Sequence, residues 1–466
     1  MTAADLDPSP DRKAGILMTQ SPEGIRQHVT HGVLTPRTGP HDAPSARLKL
    51  DAIIVPASRP AAHLDHAVTL ARAAGCWLLI LCSKRQHATE VRKFLAARSF
   101  RNATVIQVPP GYSHELLTFP ELLSIQNQLP EACTFFTTDL SMKRNIGLVL
   151  ARMLKWRQIL FLDDDIRDIS SPDLQTTIDM LGSFSAAGLR VTDFPDNSIV
   201  CHANRMTAGF QDVFVSGAVL AVDTAADIGF FPDIYNEDWL FFYDYASKGQ
   251  LANSGLEATQ LCYYPFAFAQ RAAWQEFGDV IAEGLYTLLH LGLDVEQATR
   301  EYWATFLEAR RTFLEAVITR LPNAHPQMRA EMLVSVQAAE KCLLTIKPDL
   351  CERYVQAWRK DLTDWKRRAA EIPEMLTVEE ALRELRLAPA QPAKNTTKIW
   401  PRPNETASTF VAGPVTIPRF DILKVMSECR VPAAVNQQSN EAVPAPESKE
   451  ALVGTAASAS DNHCWR

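Results

Sequence analysis

The sequence lacks the features that mark secreted, membrane-spanning or zinc-cluster proteins. Its nine cysteines are scattered, odd in number and without a Cys-x-x-Cys pair, which argues against a disulfide framework or a zinc cluster and favours reduced thiols. No apolar run approaches the roughly 20 residues that a membrane-spanning helix needs. The N-terminus has no basic-then-apolar secretion signal. We therefore expect a cytoplasmic protein with no integral membrane segment.

Long runs of one charge are also missing. The 47 basic and 54 acidic residues give a formal net charge of -7, and no block of like charge stands out. This distribution does not favour a nucleic-acid partner. Hydrophobic residues make up 47% of the chain and charged residues 22%, which is the balance of a globular protein with a sizeable core.

Composition and periodicity divide the chain into four regions. Residues 1–47 are rich in Pro, His, Ser and Thr and are predicted to be a disordered arm. Residues 48–272 alternate between strand and helix patterns, and residues 273–388 carry helical apolar stripes. Residues 389–466 are predicted to be a mostly disordered tail, with one short element near residues 420–426.

The α/β pattern of the second region predicts its sheet. Continuous apolar strands are expected at residues 51–56, 77–82, 104–108 and 158–162, with helices between them. Such strands are typical of a largely parallel sheet that is covered by helices on both faces. In the helical region, Thr377 and Glu380 have the spacing of a capping box.

Three consecutive acids, Asp163, Asp164 and Asp165, follow the predicted strand 158–162 directly. Ligands of a parallel sheet bind beyond the carboxyl ends of its strands. Adjacent carboxylates repel one another, and a divalent cation relieves that repulsion. Mg²⁺ and Mn²⁺ prefer oxygen ligands and usually bind through one or two carboxylates together with substrate phosphates. The alternative is an exposed acidic turn.

Two further segments carry charged residues that suit a ligand-binding site beside the acid run. Lys143 and Arg144 open the helix before the acidic strand, and a helix N-terminus beside cations suits a diphosphate. Glu237 and Asp238 stand among aromatic residues, where burial is able to raise a carboxylate pKa and tune a base. A solvated helix start and an acidic loop are the structural alternatives.

Together these segments resemble family 2 glycosyltransferases and their relatives of the GT-A fold. Such enzymes show an Arg-Asn-x-Gly-Leu helix start, an Asp-x-Asp strand end, a Gly-containing strand, a Gly-Phe stretch and a Glu-Asp pair. The resemblance covers roughly residues 50–270. The matching segments, in order, are Arg144-Asn145-Ile146-Gly147-Leu148, Asp163-Asp164-Asp165, Ser216-Gly217-Ala218, Gly229-Phe230 and Glu237-Asp238.

The resemblance implies an α/β, Rossmann-like mixed sheet flanked by helices, with a helical C-terminal extension. It implies transfer of a hexose from a UDP- or GDP-sugar to a soluble acceptor hydroxyl, assisted by Mg²⁺ or Mn²⁺ on Asp163 and Asp165. Asp238 would be the general base and Glu237 would orient it, with inversion at the anomeric carbon as the family generally shows; some GT-A relatives retain the configuration, and the sequence leaves both outcomes open. Residues expected to contact the nucleotide sugar are Pro56, Ser58, Arg59, Arg144, Asn145, Asp163, Asp164 and Gly217.

The sequence departs from the family pattern at two places. Family members often end the second strand with an acid that contacts the nucleobase, whereas residues 81–84 here contain none. Some relatives use a histidine beyond the Glu-Asp pair as a metal ligand. No histidine occurs between Asp238 and Leu289, so the third ligand is open between His290 and a residue of another type.

Two other readings remain open at the level of sequence. A strand ending in Asp-x-Asp also opens haloacid-dehalogenase-type phosphatases, but their motif lies near the start of the core domain and Thr or Val follows the second Asp. Here several strands precede Asp163 and Ile166 follows Asp165. The third alternative is a non-catalytic GT-A-like scaffold, which binds a partner through its helical C-terminal part. Metal-dependent binding of a nucleoside diphosphate and hydrolysis of simple phosphate esters distinguish the three.

Overall fold

A computed structural model describes residues 34, 47–84, 86–134, 138–192, 194, 198–210 and 214–387. The strands are β1 (Ala52–Ala57), β2 (Trp77–Cys82), β3 (Ala103–Gln107), β4 (Gln158–Leu162), β5 (Ile166–Arg167), β6 (Ala186–Thr192), β7 (Val215–Asp223) and β8 (Leu251–Gln260). The helices of the α/β part are α1 (Asp65–Ala74), α2 (Ala88–Ala97), α3 (Pro120–Gln126), α4 (Leu140–Met153), α5 (Ser171–Asp179), α6 (Ile199–Met206), α7 (Glu237–Phe241) and α8 (Tyr243–Ser247). Those that follow are α9 (Ala269–His290), α10 (Arg300–Thr319), α11 (Arg329–Leu343), α12 (Pro348–Ala370) and α13 (Val378–Glu384).

Within these ranges the strands form one eight-stranded mixed sheet in the order β3-β2-β1-β4-β7-β6-β8-β5. Strands β3, β2, β1 and β4 run parallel to one another. Strand β7 is antiparallel to both of its neighbours, β4 and β6, while β6 and β8 are parallel. The predicted α/β class is confirmed. The mixed sheet that the family resemblance implies is confirmed as well. The strand pattern alone predicted a largely parallel sheet, which fails at β7 because that strand is antiparallel to both neighbours.

The strand directions place most carboxyl ends on one side of the sheet. Because β6 and β8 run in the same direction as β1 and β4, six strands end on this side, which we call the carboxyl edge. The amino end of the antiparallel β7 lies there too. The six strand ends at the carboxyl edge are Ala57, Cys82, Gln107, Leu162, Thr192 and Gln260.

Both faces of the sheet are buried, as continuous apolar strands require. Successive residues of β1 point to opposite faces, so that Ile54 belongs to one hydrophobic cluster and Ile53 and Val55 to the other. The first cluster also contains side chains of α9 to α13, including Trp303 and Trp358. Described residues on the two sides of position 272 therefore share one core.

Several predicted elements agree with the structure. Strand patterns at 77–82 and 158–162 match β2 and β4, and those at 51–56 and 104–108 are displaced by one residue. The capping box of Thr377 and Glu380 is present at the start of α13. Sequence patterns gave no prediction for α5, β6 or β8. The predicted tail and its element at 420–426 lie outside the described residues, as does the predicted arm except for Leu34 and Arg47.

Two findings concern the thiols and the helices. The seven cysteines within the described ranges, at positions 76, 82, 133, 201, 262, 342 and 351, form no disulfide with one another, and Cys429 and Cys464 lie outside these ranges. Among the helices in the described part of the chain, none combines the length and the apolar character needed to cross a membrane.

Candidate active site

Strand β4 delivers the acid run to the middle of the carboxyl edge. The Asp163 amide donates to the Ala218 carbonyl at 2.9 Å, and the Ile166 amide donates to the Asp163 carbonyl at 3.2 Å. The chain thus leaves β4 in a tight turn that faces the start of β7. As a result, the three carboxylates turn toward three different sets of partners.

Asp164 connects the acid run to the segment after β1. Its Oδ2 accepts the backbone amides of Ser58 at 2.7 Å and Arg59 at 2.8 Å. Its Oδ1 accepts from the Arg59 guanidinium at 2.5 Å. Pro56, two residues before Ser58, is buried in β1 and pairs with Leu81 of β2. The predicted donor-binding residues after β1 are therefore fixed directly against the acid run.

Asp165 faces the other side, toward β8. Its Oδ2 lies 2.7 Å from Arg59 Nη2 and accepts from Gln260 Nε2 at 3.1 Å. Burial raises the pKa of Asp165 to about 6, with Arg59 opposing the shift and Asp163 adding to it. Gln260 was not a sequence candidate, because its strand was not predicted; a polar side chain at the end of β8 was the only signal.

Asp163 is joined to the Glu-Asp pair by Arg144. The Arg144 Nη2 group lies 3.0 and 3.1 Å from the two Asp163 oxygens, and its Nη1 donates to Glu237 Oε1 at 2.5 Å. Burial by itself lowers the pKa of Arg144, but the carboxylates of Asp163 and Glu237 raise it above its ordinary value. This buried cation therefore holds together two acids that are 74 positions apart in the sequence.

Asp238 is fixed by two backbone amides. The Gly217 amide donates to its Oδ2 at 2.6 Å, and the Trp239 amide donates to its Oδ1 at 2.9 Å. A Cβ atom at Gly217 would lie 2.7 Å from Arg144 Nη1 and 2.8 Å from Asp238 Cβ, so only glycine fits this approach. Burial raises the pKa of Asp238, and Arg144 and the two amides oppose that shift. Burial raises the pKa of Glu237 likewise.

The helix α4 begins at Leu140, so the prediction that Lys143 and Arg144 open it is wrong, and Lys143 and Asn145 are its fourth and sixth residues. Both side chains bond to segments that surround the site. Both polar atoms of the Asn145 side chain bond to the Phe231 main chain at 2.8 Å, so its contact with a nucleotide stays a prediction. Lys143 is buried, and its Nζ donates to the Ala57 carbonyl at 3.2 Å and to Ser83 Oγ at 3.0 Å. Burial lowers the pKa of Lys143.

A carboxylate does lie beside the end of β2, but it belongs to the residue that precedes α4. Asp139, just before α4, lies 3.3 Å from Lys143 Nζ and interacts with Ser83 beyond β2. The sequence had shown no acid at residues 81–84, and Asp139 was missed because the contact depends on how α4 packs against the strand ends.

The oxygen atoms of the acid run are the donors available to a divalent cation at this edge. Within the described ranges, no three His, Cys, Asp or Glu side chains are already arranged around a common point as metal ligands. Carboxylate oxygens at a strand end are nevertheless the donor type that Mg²⁺ and Mn²⁺ prefer, and one or two suffice when phosphates complete the shell. Asp163 is the most exposed of the three acids, at 16% of its side chain. Arg59, which contacts Asp165, keeps 41% of its side chain exposed.

His290, one of the options for a third ligand, is the last residue of α9. The carboxyl edge brings together the five carboxyl groups of residues 163–165, 237 and 238, the guanidinium groups of Arg59 and Arg144, and the buried Lys143 ammonium group. Carboxyl groups gathered in this way are able to bind a cation and to accept a proton from a hydroxyl.

Comparisons with protein-family models and with curated proteins identified no relative of this chain. No protein-family model matches the chain, and no curated protein matches it significantly.

Proposed function

We propose that the chain is a nucleotide-sugar-dependent glycosyltransferase of the GT-A type, which transfers a sugar from a UDP- or GDP-sugar to a soluble acceptor hydroxyl. One observation carries the proposal. The segments that resemble the family motifs are far apart in sequence, yet Arg144 contacts Asp163 and Glu237, and Gly217 contacts Asp238. This convergence is what a shared donor and acceptor site requires.

The carboxyl groups gathered at the carboxyl edge support a metal-assisted donor site. Asp163 and Asp165 would hold Mg²⁺ or Mn²⁺, and Arg59 would turn from Asp165 toward the donor phosphates. When bound, the cation would stabilise the charge of the departing diphosphate. Asp164 is fully used by Ser58 and Arg59, so in this proposal it orients the donor loop.

The acceptor side depends on Asp238. Two amides hold its carboxylate in one orientation, and such preorganisation favours proton transfer from a bound hydroxyl. Glu237, paired with Arg144, fixes the turn on which Asp238 stands. Attack by the deprotonated acceptor on the anomeric carbon would invert the configuration of the sugar.

The test begins with a thermal-shift screen of UDP- and GDP-hexoses in the presence of Mn²⁺, followed by nucleoside diphosphate release from the stabilising donor. Asp238→Asn should leave donor affinity nearly unchanged and lower release and transfer by roughly 10²–10⁴-fold. Asp223→Asn is the matched control, because Asp223 is a buried acid at the opposite end of β7.

The control should keep the wild-type rate. Full activity of Asp238→Asn would remove the base from the proposal. Hydrolysis of simple phosphate esters, without any response to nucleotide sugars, would favour a phosphatase instead.

A further inference from the structure

The residue that precedes the Glu-Asp pair has an unusual backbone conformation and a specific partner. Asn236 has a φ of 63°, in the left-handed region that few residues other than glycine and asparagine adopt readily. Its side-chain Nδ2 donates to Asp279 Oδ1 at 2.9 Å. Asp279 lies on α9, so a helix of the C-terminal part contacts the turn that bears Asp238.

Asp279 is itself held by a buried ionic cluster. Its Oδ2 accepts from Arg310 Nη2 at 2.9 Å, and the same guanidinium binds both oxygens of Glu276 at 2.8 and 2.9 Å. The Arg310 and Glu276 side chains are fully enclosed between α9 and α10. We call Glu276, Asp279 and Arg310 the α9–α10 cluster. Only Asp279 keeps any exposed side-chain surface, at 4%, so the cluster anchors the Asn236 side chain within the core.

The backbone of the turn meets α9 at a second, neighbouring point. A Cβ atom at Gly278 would lie 2.2 Å from the Tyr235 carbonyl oxygen, so the absence of a side chain at 278 lets the loop lie against the helix. Contacts at Tyr235 and Asn236 therefore fix two successive residues of the loop. The position of the next two residues, Glu237 and Asp238, follows from them.

We propose that Asn236 and Asp279 are positioning residues, which transmit the placement of the α9–α10 cluster to the Asp238 carboxylate. The role as positioning residues of a base rests on the proposed function, whereas the tether itself does not. The helical part of the chain then sets the geometry of proton transfer without touching the substrate.

The test uses the full chain and variants that break and restore one hydrogen bond. Asn236→Gly keeps access to the positive φ and removes the tether. Asn236→Asp places a second carboxylate against Asp279. Asp279→Asn replaces the carboxylate that accepts from both Asn236 and Arg310 with a carboxamide, which has only one oxygen to accept with. The swap Asn236→Asp with Asp279→Asn restores the bond, since the new amide donates to residue 236 and its oxygen accepts from Arg310.

The Gly217 amide reports the orientation of the Asp238 carboxylate, because it donates to Oδ2. The Trp239 amide donates both to Asp238 Oδ1 and to the Asn236 carbonyl, so it reports the start of α7 as a whole. Hydrogen exchange at these amides should accelerate in Asn236→Gly and return to the wild-type rate in the swap. Asp361→Asn is the control for a general loss of stability, since Asp361 is buried and caps α3 through the Leu122 amide. It should leave exchange at 217 and 239 unchanged.

The rate readout is nucleoside diphosphate release from UDP-glucose and GDP-mannose with Mn²⁺, with water as the acceptor. Asn236→Gly should lower release by roughly 10–100-fold at unchanged donor affinity, and should have no further effect in an Asp238→Asn background. A purely structural role would instead lower the melting temperature without this dependence on Asp238.

Unchanged exchange at Gly217 and Trp239 in Asn236→Gly would overturn the inference whether or not the chain is a transferase. Altered exchange that the swap fails to restore would overturn it as well. Altered and restored exchange, with release indifferent to Asp238→Asn, would keep the tether and reject the proposed base.

Discussion

The chain buries carboxylates against arginines in two places, at the carboxyl edge of the sheet and in the α9–α10 cluster. In the cluster, Arg310 and Glu276 have no exposed side-chain surface and Asp279 has 4%. At the carboxyl edge, Arg59 keeps 41% of its side chain exposed and Asp163 keeps 16%. The residues are of the same types, but only one group is open to a ligand.

The difference shows how to separate a site from a structural ion cluster. Both groups hold more carboxylates than arginines, because the α9–α10 cluster has two carboxylates for one guanidinium, so the charge count does not separate them. Breaking the enclosed cluster leaves a charge buried in a medium of low polarity. Exposure to solvent therefore points to the carboxyl edge as the site, whereas acid residues alone would point to both places.

The largest expected effect lies in the enclosed cluster. Arg310→Met should destabilise the fold by about 3–5 kcal/mol, because Glu276 and Asp279 lose their shared buried cation. Arg59→Ala, at the carboxyl edge, should cost less, because 41% of the Arg59 side chain is exposed and because Asp164 and Asp165 keep other hydrogen-bond donors. Urea denaturation of the two variants measures both values. Equal losses would erase the distinction between the two places.

A smaller effect is expected where the open group is closely packed. Gly217→Ala places a methyl group against Arg144 and Asp238, and such overpacking typically costs about 1–3 kcal/mol. Displacement of Arg144 should also disturb Asp163 and Glu237, so donor binding should weaken together with stability. Calorimetry of the variant with a nucleotide sugar and Mn²⁺ checks the binding. Wild-type stability and affinity in Gly217→Ala would show that neither the fold nor donor binding requires the close packing of residue 217 against Arg144 and Asp238.

His202 is a third buried ionisable group, and unlike the carboxylates it lies beside cations of its own sign. Arg205 and Arg271 disfavour its protonation. Burial, followed by these two arginines, lowers the pKa of His202 to about 3. Its ordinary pKa of about 6.5 applies in the unfolded chain, so stability is complete above that pH and declines as the pH falls toward 3. At pH 5.5, titration of His202 should lower the free energy of unfolding by about 1.4 kcal/mol relative to neutral pH.

His202→Phe keeps an aromatic ring against Phe194 and removes the titration. Denaturation of wild type and variant between pH 7 and 5 should give a difference in unfolding free energy that narrows as the pH falls, if the variant is the less stable at pH 7. A difference that is independent of pH would show that His202 does not titrate between the two states.

The sequence predicted the parts of the fold that depend on local pattern. Strands β2 and β4 are apolar runs with clear limits, and the acid run could be placed at a strand end because Leu162 is the last apolar residue before Asp163. Strand β8 escaped prediction because its residues Asn253, Ser254 and Gly255 interrupt the apolar pattern. Its pairing with β6 comes from the assembled sheet.

The candidate site was predicted as a set of residues and not as a network. The sequence selected Arg144 and Asp163, but the contact of Arg144 with Glu237 depends on the tertiary packing of α4 against α7. Asn145 and Asp164 entered the prediction as ligand contacts, and their side chains instead bond to neighbouring segments. Asp139, Gln260 and Asp279 carry no local motif and were visible only once the elements had been assembled.

The central claim is that the open carboxylate group binds a nucleoside diphosphate through a divalent cation. Isothermal titration with UDP and with GDP, each in the presence and absence of Mn²⁺, tests it in wild type, Asp165→Ala and the control Asp223→Asn. We expect binding that requires Mn²⁺, that is lost in Asp165→Ala with the fold intact, and that is retained in Asp223→Asn. Equal affinity of Asp165→Ala and wild type, or binding indifferent to Mn²⁺, would contradict the account.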